Sequence, residues 1–278
     1  MELNEVTNRI TITDSTWIDE KYTVNSDNRK HGEYTSTDEN GNIREKSNYL
    51  NGLKDGEFIE YHSNGQIKIK CEYSKDDKEG VYHEFFENSQ PKIKTYYSQD
   101  KIVGRYLGWF EDGTNQYNCK YRPDGNKTGA YQEWYSNGKP KYDCEYSNQG
   151  VLIETYREWY ESGDEKFLIT YSSEGRRIGQ FKEWFEDHKP KFDIKYNTDE
   201  QLDGPYAEFY PNGNVKIRTN YLKGKVDGKY REFYEDNKPK LKYQLRGGKK
   251  TGRYVEYSED GTKIVDEKYH RGKKIETS

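Results

Sequence analysis

Gly204-Pro-Tyr-Ala-Glu-Phe-Tyr-Pro-Asn-Gly-Asn-Val-Lys-Ile-Arg-Thr-Asn-Tyr221 decides the fold of this chain. Two stretches of alternating side chains flank a Pro-Asn-Gly, and the same outline returns ten times. It runs Gly, an aromatic two places on, Glu, two aromatics, a turn, Lys, a short apolar run and Tyr. With the opening Gly numbered slot 1, that slot falls at Gly32, Gly56, Gly80, Gly104, Gly129, Glu154, Gly179, Gly204, Gly228 and Gly252. The interval is 24 residues for three steps, 25 for four and 24 for two. A fixed period means a quasi-one-dimensional array in which each repeat packs only on its neighbours.

Each repeat reads as a β-hairpin. Slots 9 and 10 are Asn-Gly or Asp-Gly in Asn40-Gly41, Asn64-Gly65, Asp112-Gly113, Asn137-Gly138, Asn212-Gly213 and Asp260-Gly261. That pair predicts a two-residue type I′ turn with positive φ at both positions. Asn88-Ser89, Asp187-His188 and Asp236-Asn237 lack the Gly and predict looser turns. The turn sets slot 6 opposite slot 13, slot 3 opposite slot 16 and slot 1 opposite slot 18. Alternation then gives one Tyr-rich face (slots 1, 3, 5, 7, 12, 14, 16 and 18) and one charged face interrupted by an aromatic at slot 6. The slot-18 Tyr is placed to cover the bare backbone of the slot-1 Gly.

The expected fold is all-β: an elongated, twisted, single-layer antiparallel meander of ten tandem hairpins. About 20 strands at ~4.8 Å each would run roughly 95 Å. Residues 1–31 read as a degenerate cap repeat with Tyr22 in the slot-18 position, and residues 32–278 as the array. The basic run Arg271 to Lys274 is suited to guarding the final edge.

Hydrophobic content of 30% against 35% charged leans towards disorder, but 28 Tyr and 10 Phe at fixed intervals argue for order. The net charge of −4 comes from 46 basic and 50 acidic residues mixed along the chain, which argues against a general nucleic-acid binder. Met1 to Thr16 has no apolar signal core and no long apolar run follows, so a cytoplasmic location is the expectation.

The segments Gly129-Ala-Tyr-Gln-Glu-Trp-Tyr-Ser-Asn-Gly-Lys and Gly204-Pro-Tyr-Ala-Glu-Phe-Tyr-Pro-Asn-Gly-Asn resemble MORN-type repeats. They look most like the bacterial MORN-variant group known as YwqK-like antitoxins, and the resemblance covers residues 32–275. It implies an elongated antiparallel sheet and a scaffolding, protein-binding role, with toxin neutralisation by binding as the antitoxin case. Eukaryotic MORN proteins suggest junction, cytoskeletal or membrane-surface roles. Fewer Gly and more Lys and Glu per repeat than in the eukaryotic form argue against direct lipid binding.

Slot 6 is Trp in repeats four to seven, at Trp109, Trp134, Trp159 and Trp184, the repeats with the longer links. The register sets Lys141, Lys166 and Lys191 beside them, a geometry for cation–π stacking. This stripe reads either as a protein-binding site or as the relic of one duplicated 25-residue unit whose Trp are covered by Lys stems. The Glu ladder at slot 5 (Glu60, Glu84, Glu133, Glu158, Glu183, Glu208, Glu232 and Glu256) lies among Tyr rings, whose hydroxyls can satisfy the carboxylates. A carboxylate repeated in the same slot is structural rather than catalytic. Cys71, Cys119 and Cys144 all fall at slot 16, too far apart in adjacent repeats for a disulfide, and read as packed thiols. The five His are scattered without metal-ligand spacing. Gly247-Gly248-Lys249-Lys250-Thr251-Gly252 lacks phosphate-loop spacing. The reading is a non-enzymatic scaffold with no metal or cofactor and a protein partner. A self-assembling homodimer or fibre and a membrane-surface adaptor stand as alternatives.

Overall fold

The computed structural model describes residues 3–13 and 15–275; the first two residues of the cap region and the last three of the array lie outside the described residues. Among the described residues there are 24 strands and no helix. The four strands beyond the expected number are the hairpin Asn4–Thr13 with Thr16–Val24, the two-residue stub Lys225–Val226 and the final Lys273–Ile275. Contacts group the chain into two compact units, Met1–Gly138 with Asn148–Gly150, and Lys139–Ser147 with Val151–Ser278. Within each unit the strands form an antiparallel meander in which neighbours in sequence are neighbours in the sheet, as in Leu53–Tyr61 with Ile67–Ser74 and Leu202–Phe209 with Val215–Leu222.

The turn inside the repeat is not the predicted one. In the second repeat the Gly65 N–H donates to the His62 carbonyl (3.0 Å) and the His62 N–H to the Gln66 carbonyl (2.8 Å). Gly65 has φ 82°, while Asn64 is not among the positive-φ residues. This is a type I turn closed by one left-handed residue. The wider loop shifts the register: Glu60 faces Ile69, but Tyr61 faces Ile67, leaving Lys68 at slot 13 as a bulge. Slot 6 therefore faces slot 12, and Trp184 stands opposite Pro190. The Asn side chain helps select this loop. Asn64 Oδ1 accepts the Gln66 N–H (2.9 Å), and Asn64 Nδ2 donates to the Glu87 carbonyl in the next repeat (2.8 Å).

The turns without Gly are not looser. Ser89, His188 and Asn237 take the same left-handed conformation at φ 67°, 64° and 66°. They close the same loop, the His188 N–H donating to the Phe185 carbonyl at 3.2 Å.

Type I′ turns do occur, at the links between repeats. Asn51 and Gly52 have φ 53° and 94° between the paired residues Leu50 and Leu53. Lys75-Asp76, Gln99-Asp100, Lys223-Gly224, Gly247-Gly248 and Arg271-Gly272 repeat that geometry. In the longer links the wider turn replaces it. The Arg122 N–H donates to the Asn126 carbonyl and the Gly125 N–H to the Arg122 carbonyl, both at 2.9 Å. The change of period from 24 to 25 residues is a change of turn type.

Slot 1 pairs with slot 18 as expected, Gly56 with Tyr73, but its glycine has a backbone reason. All ten slot-1 residues have positive φ. Asp55, Gly56 and Glu57 stand against Asn48 alone, between the pairs Tyr49–Lys54 and Ser47–Phe58. That bend needs a left-handed residue, which glycine supplies without steric cost.

The core is a thin column at slot 16. Ser47, Cys71, Thr95, Cys119, Cys144, Ile169, Ile194 and Thr219 are between 3% and 7% exposed. They lie beneath edge-packed rings of slots 3 and 18, as in Phe58–Tyr73 (5.4 Å) and Tyr82–Tyr97 (5.3 Å). Buried rings such as Phe58 and Tyr82 contribute about 2–3 kcal/mol each. In the cap, Tyr22 faces Tyr34 and so holds the slot-16 position; Val24, which faces Lys30, takes slot 18. The displacement follows from a link of the wider type, in which the Asn28 N–H donates to the Asn25 carbonyl (3.0 Å) with Asn28 at φ 59°.

Candidate binding surface

The bulge at slot 13 decides which face its lysine joins. Lys166 Nζ meets Glu158 Oε1 and Lys191 Nζ meets Glu183 Oε1, each at 2.6 Å. Lys68–Glu60, Lys92–Glu84, Lys216–Glu208 and Lys240–Glu232 repeat the pair at 2.6–2.7 Å. Lys166, Lys216 and Lys240 are raised above the ordinary lysine range, chiefly by these hydrogen bonds. The second carboxylate oxygen accepts the slot-3 phenol: Tyr82 to Glu84 (3.2 Å), Tyr131 to Glu133 (2.8 Å) and Tyr156 to Glu158 (3.2 Å). Burial, with the neighbouring carboxylate, raises these phenols well above the ordinary tyrosine value. Glu84, Glu158, Glu208 and Glu232 thus each serve one Lys and one Tyr, a structural triad on the Tyr-rich face, while Glu60 and Glu183 pair with Lys beside Phe58 and Phe181.

The expected Trp–Lys stack is replaced by this arrangement. Lys166 Nζ lies 5.5 Å over Tyr160 and Lys191 Nζ 5.8 Å over Phe185, both slot-7 rings. Lys141 Nζ lies 5.3 Å over Tyr142 at slot 14. Slot 6 points to the opposite face. Extra cations reach the Tyr ladder from a column the sequence reading missed, two places before slot 1. Lys30, Lys54, Lys127 and Lys250 stand 4.3, 4.3, 3.8 and 3.9 Å over Tyr34, Phe58, Tyr131 and Tyr254. The recurrence of Lys at that one slot was the available signal.

Slot-7 side chains tie repeats together. Tyr160, Tyr210 and Tyr234 hydroxyls donate to the carbonyls of Trp184, Phe233 and Tyr257 at 2.9–3.0 Å. The fourth repeat departs from the scheme: Gly108 replaces Glu and Gln116 replaces Lys. A Cβ at Gly108 would meet the Tyr117 ring at 2.9 Å, so the ring occupies the missing side chain's space.

On the other face Trp109, Trp134, Trp159 and Trp184 are half-buried. Trp109 and Trp134 belong to one compact unit, Trp159 and Trp184 to the other. Beside this column the third repeat exposes two large apolar side chains, Val81 (48%) and Tyr96 (43%), which face each other across the strands. His83 and Phe85 pack next to them with tilted rings, centroids 5.9 Å apart. Cys71, Cys119 and Cys144 are buried and form no disulfide, and burial pushes the Cys71 thiol up to about 11. Among the described residues no His, Cys, Asp and Glu cluster could hold a metal ion, and no helix is long and apolar enough to cross a membrane.

A family model described as MORN repeat variant matches residues 30–51, 54–75, 127–148 and 202–223. These windows cover the first, second, fifth and eighth hairpins, each entered from its preceding link. The chain is a MORN-type repeat protein. MORN repeats are commonly protein- or membrane-binding elements. A comparison with curated proteins finds no match.

Proposed function

We propose that this MORN-type chain is a non-enzymatic scaffold that binds a protein partner through its slot-6 face. The observation that carries the reading is the contrast between the two faces. On the Tyr-rich face the repeated charges are matched within the molecule, Glu by Lys and Tyr. On the other face of each unit the slot-6 aromatics stand half-buried, with Val81 and Tyr96 exposed beside those of the first. Aromatic side chains that can be fully desolvated by a partner are favoured anchors. Trp109, Trp134, Trp159 and Trp184 are the proposed contacts; Lys141, Lys166 and Lys191 act from the opposite face and support the fold. Antitoxin-like capture of a protein is the finer case of the same role. A cytoplasmic setting belongs to the proposal, supported by the reduced thiols of Cys71 and Cys119.

Affinity capture from lysate of the source cell tests it. The Val81→Glu/Tyr96→Glu variant, changed at exposed positions, and the Trp134→Ala/Trp159→Ala/Trp184→Ala variant should both lose a protein that the unaltered chain retains, with far-UV dichroism unchanged. Retention of the same proteins by both variants would overturn the assignment of this face.

A further inference from the structure

The two outermost strands differ. The final strand, Lys273–Ile275, is three residues long and carries two lysines, a short charged edge that resists strand addition. The first strand, Asn4–Thr13, has ten residues, pairs among the described residues only with Thr16–Val24 and contains neither Lys nor Pro. About half of its residues direct backbone N–H and C=O groups away from its one neighbour. Ile10 and Ile12 are 44% and 61% exposed. Its charges are already engaged from its own hairpin: Arg9 pairs with Asp19 at 2.6 Å and lies 4.6 Å over Trp17, and Glu5 meets Lys21 at 3.0 Å.

We propose that the chain dimerises by antiparallel pairing of Asn4–Thr13 with the same strand of a second copy, about a two-fold axis at Asn8. The strand complements itself in this register. Val6 faces Ile10 of the second copy, Asn8 faces Asn8, and Thr7 faces Arg9. Val6 and Ile10 share a face because they pair with Tyr22 and Ile18 on the neighbouring strand, so two apolar cross-strand pairs form on one side. Centring on Arg9 would set that cation against itself. Centring on Thr7 would set Val6 against Asn8 and Ile10 against Asn4. Because the same strand serves both copies, the contact closes as a dimer. The three-residue final strand is a poor match for a ten-residue edge, which disfavours head-to-tail growth.

Sedimentation equilibrium of the full chain, from low micromolar to near-millimolar concentration, is expected to show association to twice the 33.1 kDa chain mass and no further. Ile10→Lys places a charge at an already exposed site and should give a folded monomer. Register is read separately by mild oxidation. Asn8→Cys should form a disulfide-linked dimer, because residue 8 meets its own copy; Glu5→Cys, set against Thr11, should not. A monomer at every concentration, a dimer that survives Ile10→Lys, growth beyond the dimer, or equal cross-linking of both Cys variants would overturn the proposal. Loss of the partner-binding face in the capture experiment would leave all of these readouts intact.

Discussion

Glu154 holds with a full side chain the left-handed backbone that the other nine residues of its slot reach as glycine, at φ 58° opposite Tyr171. An L-residue there costs roughly 1–2 kcal/mol, of which glycine returns part through its freer unfolded chain. Glu154→Gly is expected to stabilise the protein by about 1 kcal/mol, read as a higher urea midpoint with unchanged slope. No change in midpoint would mean that the carboxylate makes up the difference. The Gly slot itself was legible from its recurrence, but its cause was not: a Gly under a Tyr ring and a Gly in a left-handed bulge leave the same letter. The slot-13 lysines were misplaced for a related reason. Strict alternation sends Lys166 towards Trp159, and only one bulged residue sends it to Glu158 instead. A single-residue shift of that kind exchanges the faces.

The hairpin itself, its slot 1–18 pairing and its repeat count were readable from period and alternation. Turn type was not, because Asn-Gly fits both a two-residue type I′ turn and a type I turn closed by a left-handed Gly. The links held the better clue: Asn51-Gly52, Lys223-Gly224, Gly247-Gly248 and Arg271-Gly272 each end in Gly between directly paired residues. Where a link departs from that chemistry, the element is open to improvement. Gln99 and Asp100 occupy both left-handed positions of a type I′ turn, at φ 50° and 61°. Asp100 is also held by its carboxylate, which accepts the Lys78 N–H at 2.8 Å. Gln99 contributes its backbone N–H to Glu79 at 2.9 Å, a bond that any residue would retain. Gln99→Asn is therefore expected to add about 0.5 kcal/mol, since Asn tolerates this region better than Gln. Thermal and urea midpoints should rise together; a fall would show that the Gln side chain has a role of its own.

Across the whole molecule, stability rests on neutral phenols packed among paired charges rather than on an aliphatic interior, and this sets its response to alkali. Burial pushes Tyr49 and Tyr73 up to about 12, and raises Tyr34, Tyr82, Tyr131, Tyr156, Tyr206 and Tyr230 further, with neighbouring carboxylates acting in the same sense. A group raised on folding binds its proton more tightly in the native state. Its contribution is fully present below the unfolded value, near 10 for tyrosine, and is lost as pH rises towards the folded value. Lys166, Lys216 and Lys240, raised by their Glu partners, act in the same direction. Stability should therefore be level on this account below pH ~10 and fall steeply above it, because many phenols ionise in the unfolded chain at once. Phenolate absorbance followed beside far-UV dichroism provides the check. One steep transition, displaced above the ordinary tyrosine value and coincident with loss of β-structure, is the expected result. A broad titration centred near 10 with the dichroism unchanged would show that the rings are accessible to solvent, and that the Tyr–Glu–Lys ladder does not hold the sheet together.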